Sequence, residues 1–215
     1  MSRKVISQTV QPNQKLGYLV LKRLLDIVSS LVGLVVLSPV FLVVALLIYK
    51  EDKGKVIFCQ ERNGLNNNVF RMYKFRSMIA NAPAMRAELG KYNELDGPAF
   101  KMKDDPRITK IGAFIRKTSI DELPQLINVL KGEMSLVGPR PLPTYETAEC
   151  NEYQLQRLLV KPGITCYWQI SGRNDISFEE WIEMDLRYIR EASMWTDIKI
   201  LFMTVRAVLS KKGAY

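Results

Sequence analysis

Hydrophobic and polar positions divide the chain into one long apolar block followed by shorter amphipathic stretches. The block, Ile27 to Tyr49 (IVSSLVGLVVLSPVFLVVALLIY), carries no charge. As a straight helix it would reach about 35 Å, enough to cross a hydrocarbon core of about 30 Å. Ser38-Pro39 falls at its middle. Proline removes a backbone donor and crowds the preceding turn, so a break is expected there, with the Ser38 hydroxyl able to satisfy a freed carbonyl. Both flanks are basic: Arg3, Lys4, Lys15, Lys22 and Arg23 precede the block, and Lys50, Lys53, Lys55 and Arg62 follow it. The positive-inside rule then assigns both ends to the cytoplasm. A re-entrant helix-break-helix, each half about 17 Å long, meets both demands. A kinked spanning helix is the alternative that the length permits. The late start and the lack of a small-residue cleavage site argue against a secretory signal.

Beyond the block the pattern predicts an α+β fold, mostly helical with a small β portion. Val56-Ile57-Phe58 reads as a strand, and Val69 to Phe75 (VFRMYKF) as a second. The turn signals Arg62-Asn63-Gly64 and Asn66-Asn67-Asn68 between them suggest a hairpin. Ala80 to Leu95 holds good helix formers, with Pro83 allowing a helix only from about there on. Arg107 to Lys117 places Ile108, Ile111 and Ile115 on one helical face, with Asp104-Asp105-Pro106 as start signals. A helix from about Asp121 to Lys131 stops at Gly132. Ser177 and Glu180 form a capping box for a helix carrying Trp181, Met184 and Tyr188 on one face. The last stretch, Trp195 to Lys212, mixes apolar residues with Lys199, Arg206, Lys211 and Lys212. It suits either an interfacial membrane helix or a core-packing one.

Composition narrows the chemistry. The chain has 215 residues, a net charge of +9 and no histidine. Histidine-based triads, Cys-His pairs and His-ligated zinc are excluded. The three cysteines, Cys59, Cys150 and Cys166, are widely spaced and read as free thiols. The basic excess points to nucleic acid, an anionic membrane or a highly phosphorylated substrate. Nucleic acid is disfavoured, because no basic run interleaves with aromatics and a membrane segment is present.

The densest segment is Arg116 to Pro141, RKTSIDELPQLINVLKGEMSLVGPRP. Asp121 and Glu122 are adjacent carboxylates at a helix start. Either Asp121 is the N-cap or Ser119 and Glu122 form a capping box, and acids in such places are commonly only caps. Their company raises them above that: Arg116 precedes the pair, and Gly138-Pro139-Arg140-Pro141 follows the helix. Prolines on both sides of Arg140 fix the backbone of a guanidinium that could be aimed at phosphate.

These strings together resemble the bacterial sugar transferase family, the monotopic phosphoglycosyl transferases, from about residue 20 to residue 210. The matching residues are Lys22-Arg23 with Asp26, Ser38-Pro39, Lys74-Phe75-Arg76-Ser77-Met78 and Asp105-Pro106-Arg107-Ile108-Thr109. They continue with Asp121-Glu122-Leu123-Pro124-Gln125, Met134 to Pro141, Lys161-Pro162-Gly163-Ile164-Thr165 and Ser171-Gly172-Arg173-Asn174. The resemblance implies transfer of a sugar 1-phosphate from a UDP-sugar to a polyprenyl phosphate, most simply undecaprenyl phosphate, with release of UMP. Asp121 would be the nucleophile and a magnesium ligand, and Glu122 its partner, moving the acceptor proton or orienting the nucleophile. Arg116, Arg140 and Arg173 would bind phosphate, with Lys74 and Arg76 as weaker basic candidates. Asp105 is expected to cap a helix rather than hold the metal. The implied organisation is a short tail over 1–20, a re-entrant membrane segment over 21–50 and a cytoplasmic catalytic domain over 51–215, the last two forming one domain on the inner face of a bacterial membrane. Larger relatives carry extra spanning helices before this core, so the chain resembles a minimal catalytic form. The implied partners are the donor, the lipid acceptor and bacterial membrane lipids, with a homo-oligomer left open. A non-catalytic membrane-surface adaptor is the competing reading; it accounts for the charge but not for the carboxylate pair.

Overall fold

The computed structural model describes residues 9–94, 97–100, 102, 104–171 and 176–210. The chain opens with two helices, α1 (Leu16–Val36) and α2 (Ser38–Asp52), bent by 60°. No single described helix is long and apolar enough to cross a membrane, while the bent pair together satisfies length and composition. The break falls at Leu37 (φ −88°, ψ 2°), one residue before the expected dipeptide. Ser38 and Pro39 instead open α2, where a proline is accommodated because its missing N–H has no helical partner. The Ser38 hydroxyl donates to the Val35 carbonyl at 2.8 Å, the acceptor that the N–H of residue 39 would otherwise reach. The halves, at 21 and 15 residues, are also longer than the expected length of about 17 Å requires.

The extra length of α1 has a cause in its polar residues. Lys22 donates to the Val137 carbonyl (2.9 Å), the Tyr188 hydroxyl (3.2 Å) and Asp197 (2.8 Å). Arg23 donates to the Val129 and Leu130 carbonyls at 2.6 and 2.8 Å. Asp26, buried, accepts from the Ser135 hydroxyl and the Leu136 N–H at 3.0 and 2.9 Å. These three residues fasten α1 to the rest of the molecule. Lys22 and Arg23 are therefore not a free basic flank facing headgroups, which corrects their use as topology signals.

A hairpin follows: β1 (Ile57–Asn63) pairs antiparallel with β2 (Val69–Phe75), from Ile57 opposite Phe75 to Asn63 opposite Val69. Its turn places Asn66 and Asn67 at φ 53° and 66°, a region asparagine tolerates. Of the helix expected over 80–95, only α3 (Arg86–Leu89) and a 3₁₀ turn at Gly90–Tyr92 form among the described residues. Tight turns bond Ala82 to Ile79 and Ala84 to Asn81, and the Asn93 side chain ties back to the Ala99 carbonyl, so both ends are taken. Next come α4 (Lys110–Lys117) and α5 (Gln125–Lys131). Thr109, not an aspartate, caps α4 by accepting from the Gly112 N–H at 2.9 Å. Asp105 instead grips Arg107 through two side-chain bonds of 2.8 and 2.6 Å.

Two short parallel strands, β3 (Ser135–Val137) and β4 (Gly163–Thr165), lie between α5 and the last helices. One-turn helices α6 (Thr144–Thr147) and α7 (Glu152–Leu155) separate them, and α8 (Tyr167–Ile170) follows. Then α9 (Phe178–Glu191), opened by the expected Ser177–Glu180 capping box, buries Trp181, Ile182, Leu186, Tyr188 and Ile189. The last helix, α10 (Met194–Ser210), turns Asp197 and Ile200 inward and leaves Trp195, Ile198, Phe202 and Val205 exposed. A second, smaller core of Val44, Ile48, Phe75 and Ile115 seats the end of α2 on β2 and α4.

The β3–β4 contact depends on glycine. A Cβ at Gly163 would lie 2.1 Å from the Gly138 nitrogen, whereas at Gly17 nothing lies within 4 Å. Gly163→Ala is expected to lower unfolding stability by about 2 kcal/mol or more, and Gly17→Ala to leave it unchanged or slightly higher, in denaturant melts of the detergent-solubilised chain.

Candidate active site

The site grows from the turn between α4 and α5. Thr118 ends α4, and Ser119 takes a left-handed conformation at φ 57°. Ile120–Glu122 then forms a single 3₁₀ turn, with the Leu123 N–H bonded to the Ile120 carbonyl at 3.1 Å. Pro124 has no N–H to extend that turn as an α-helix, so α5 starts only at Gln125. This overturns both expected caps: Asp121 caps nothing, and Ser119 and Glu122 form no capping box. The two carboxylates line a cavity of about 660 Å³ instead.

Glu122 is clamped. It accepts from Lys74 at 2.9 Å and from both terminal nitrogens of Arg140 at 2.6 and 3.3 Å. Burial alone would raise its pKa, but Arg140 and Lys74 outweigh burial and hold the carboxyl well below the usual carboxylate range. Asp121, also buried, accepts no hydrogen bond from the described residues. Burial is the largest influence on it and Glu122 adds to the rise, against Lys74, Arg116 and Arg140; the outcome is a pKa raised to about 6. Neighbouring acids in one turn thus differ in kind: one is a fixed anion, the other changes charge near neutral pH.

The cations are placed by different elements. Lys74 comes from β2, and its pKa is lowered, chiefly by burial. Arg140 sits in a turn whose backbone is bonded at four consecutive residues. The Gly138 N–H donates to Thr165 (2.9 Å), and the Pro139 carbonyl accepts from Gly163 (2.9 Å). The Arg140 and Pro141 carbonyls accept from Arg157 (2.6 Å) and Arg62 (2.8 Å). Arg116, in the last turn of α4, lines the cavity without a hydrogen bond to the described residues. Arg76 also lines it but is ion-paired to Asp52 at the end of α2. Arg173 lies outside the described residues. Ser38 and Pro39 shape the helix bend and do not line the cavity.

Several lining residues carried no sequence signal of their own. Arg62 was visible only as part of a basic flank. It shares a strand face with Phe58 and Gln60, and Phe58 pairs with Lys74, so the two-residue period of β1 could have placed it. Burial first, and Arg140 next, lower its pKa to about 10. Trp168 and Trp181 also line the cavity, stacked on each other.

A concave site with an unengaged carboxylate beside a neutralised one, walled by Arg62, Lys74, Arg116 and Arg140, is the kind that takes a phosphorylated substrate. The chain matches the family model for bacterial sugar transferases over residues 17–211, and it belongs to that family. It is 50% identical over 203 residues to a galactosyl transferase, CpsE, of Streptococcus agalactiae, covering 93% of this chain and 44% of the relative. It is 45% identical to an undecaprenyl-phosphate galactose phosphotransferase of Salmonella typhimurium, covering 91% of this chain and 42% of the relative. An exopolysaccharide production protein, ExoY, of Rhizobium meliloti is 38% identical, with 90% of this chain and 88% of the relative covered. The chain thus spans less than half the length of the first two and most of the third.

The charge arrangement is testable without turnover. The carboxyl carbon of Asp121, followed by NMR, is expected to titrate at about 6. Glu122→Gln removes a neighbouring anion and should lower that midpoint. Because Asp121 binds its proton more tightly when folded, its favourable contribution to stability is complete below the ordinary value of 3.8 and is lost as pH rises through about 6. Asp121→Asn should therefore raise the unfolding temperature at neutral pH relative to the unmodified chain, with the gain fading as the pH is lowered.

Proposed function

We propose that this chain transfers a sugar 1-phosphate from a UDP-sugar to undecaprenyl phosphate at the cytoplasmic face of a bacterial membrane. The observation that carries the reading is the unengaged Asp121 carboxylate in a basic cavity, beside a Glu122 already neutralised by Lys74 and Arg140. In the first step an Asp121 oxygen bonds to the sugar-linked phosphorus, the diphosphate bond breaks, and UMP leaves. An oxygen of the acceptor phosphate then attacks the same phosphorus. The acyl-phosphate bond breaks, Asp121 returns to a carboxylate, and the product is undecaprenyl-diphosphate sugar. Carboxylate nucleophiles form such acyl phosphates in other enzymes.

Glu122 acts in this scheme as an orienting anion. A carboxyl held so far below its ordinary range carries no proton near neutral pH, and its partners are the two cations that would meet the phosphates. Arg116 is the third, lining the cavity without a hydrogen bond to the described residues. Arg173 is kept as a phosphate ligand on the family resemblance alone, and Arg76 as a rim residue. The site fits a magnesium ion arriving with the donor. Among the described residues no cluster of three or more ligating side chains exists. Magnesium, however, is ordinarily held by one or two carboxylates together with substrate phosphates, and Asp121 accepts no hydrogen bond from the described residues. When bound, the ion would offset charge on the diphosphate.

The membrane reading rests on the bent α1–α2 pair as a re-entrant segment and on the exposed apolar face of α10 as an interfacial helix. A catalytic role also explains what an adaptor would not need, a buried carboxylate that accepts no hydrogen bond from the described residues. The sugar is open, and a panel of UDP-sugars would name it.

UMP release from UDP-sugars with undecaprenyl phosphate should be abolished by Asp121→Asn and by chelation of magnesium. For the unmodified chain, kcat/KM for the donor should fall about tenfold per pH unit below about 6, because only ionised Asp121 attacks. An active Asp121→Asn protein would refute the nucleophile assignment. Cysteines introduced at Gly17 and Lys53 in a cysteine-free background should both resist labelling from outside intact cells; labelling of either end refutes the re-entrant topology.

A further inference from the structure

Behind the carboxylate pair four side chains touch in sequence and return to their start. The Arg157 guanidinium lies over the Trp181 ring at 5.2 Å. Trp181 stacks on Trp168 with centroids 4.4 Å apart and planes 15° apart. The Arg140 guanidinium lies over Trp168 at 5.9 Å. Arg157 closes the ring by donating to the Arg140 backbone carbonyl at 2.6 Å, while the same nitrogen meets the buried Asp185 at 2.6 Å. One residue, Arg140, is therefore held twice by one assembly, at its backbone and at its guanidinium.

The two holds do different things. Pro139, Pro141 and the turn's backbone bonds fix where the Arg140 side chain begins. They leave its several side-chain torsions free. Its grip on Glu122 is uneven, at 2.6 and 3.3 Å, and a phosphate entering the cavity would compete for the same nitrogens. A planar guanidinium against an indole keeps its orientation whichever anion it meets, which an ammonium on a flexible stem does not. The stack itself is set by packing. Trp181 is buried with its indole N–H unpartnered among the described residues, whereas a buried indole N–H ordinarily finds an acceptor.

We propose that Trp168 is a positioning residue for Arg140: through the Trp168–Trp181 stack it keeps the guanidinium in the plane that serves Glu122 and then the donor's phosphates. Its effect is on the orientation of a guanidinium that Glu122 and the cavity share. The catalytic consequence rests on the transferase reading above; the orientation of Arg140 does not.

The test is the guanidinium NMR signal of Arg140 in the detergent-solubilised chain, assigned by its loss in Arg140→Gln, with turnover measured alongside. In the unmodified chain the signal should carry a ring-current shift from Trp168 and show slowed rotation of the guanidinium. Trp168→Leu should remove the shift and speed the rotation, and should reduce kcat about tenfold or more with a smaller change in donor KM. Trp168→Phe, which keeps an aromatic face, should restore most of each. In an Arg140→Gln background Trp168→Leu should cost no further turnover. An Arg140 signal unmoved by Trp168→Leu, or an equal loss of turnover with and without Arg140, would overturn the proposal. If the leucine variant fails to fold, Trp168→Met read by the same signal decides. Absence of turnover with every UDP-sugar would sink the transferase reading, while the Arg140 signal would still judge the role of Trp168.

Discussion

Everything around the cavity depends on how the fold treats two acids that sit side by side in one buried turn. Both cannot be left as bare anions away from water, since each would oppose the other's ionisation. The structure neutralises one. Glu122 takes Lys74 and both prongs of Arg140, and Asp121 is left with cations nearby but no hydrogen bond to the described residues. That asymmetry gives the pair a stable member and a responsive one. It also withdraws stability at neutral pH, as sites kept for chemistry commonly do.

Holding the asymmetry requires that Lys74 and Arg140 arrive from independent and rigid places. Lys74 rides on a hairpin whose register is fixed along all seven residue pairs. Arg140 sits in a turn pinned by a parallel strand pair so close that two glycines face each other across it. The helices read as membrane-associated are tied into the same framework. Asp26 of α1 bonds to Ser135 and Leu136 in β3, the strand that leads into the Arg140 turn. At the other end of the bent pair, Asp52 holds Arg76 and Glu51 accepts from the Ile111 N–H of α4. In the proposed function, the segment that meets lipid and the turn that meets phosphate are parts of one packed unit.

Much of this was legible in the sequence where local chemistry decides. The second strand was placed at its observed limits, the α9 capping box formed, and the Ser38 hydroxyl found the carbonyl that Pro39 leaves open. The family was legible from the order of its motifs. Misplaced features were those where a distant partner overrides local preference. Asp105 looked like a cap because aspartate before a helix usually is one, but Arg107 claimed it. The helix expected from Asp121 was divided by Pro124, and that division is what frees both carboxylates from capping. Lys22 and Arg23 looked like a membrane flank because their partners, Asp197 and the carbonyls of α5, lie more than a hundred residues away. The Trp168–Trp181 stack could not be foreseen, since nothing in either sequence neighbourhood announces the other.

The measurement that bears most directly on the central claim is a single turnover without lipid acceptor. The chain, in excess over a UDP-sugar labelled in the sugar, would be quenched and digested, and its peptides analysed by mass spectrometry. Covalent catalysis by Asp121 predicts release of UMP and a sugar-phosphate adduct on that residue, discharged when undecaprenyl phosphate is added. UMP release that requires the acceptor, with no adduct on Asp121, would contradict it.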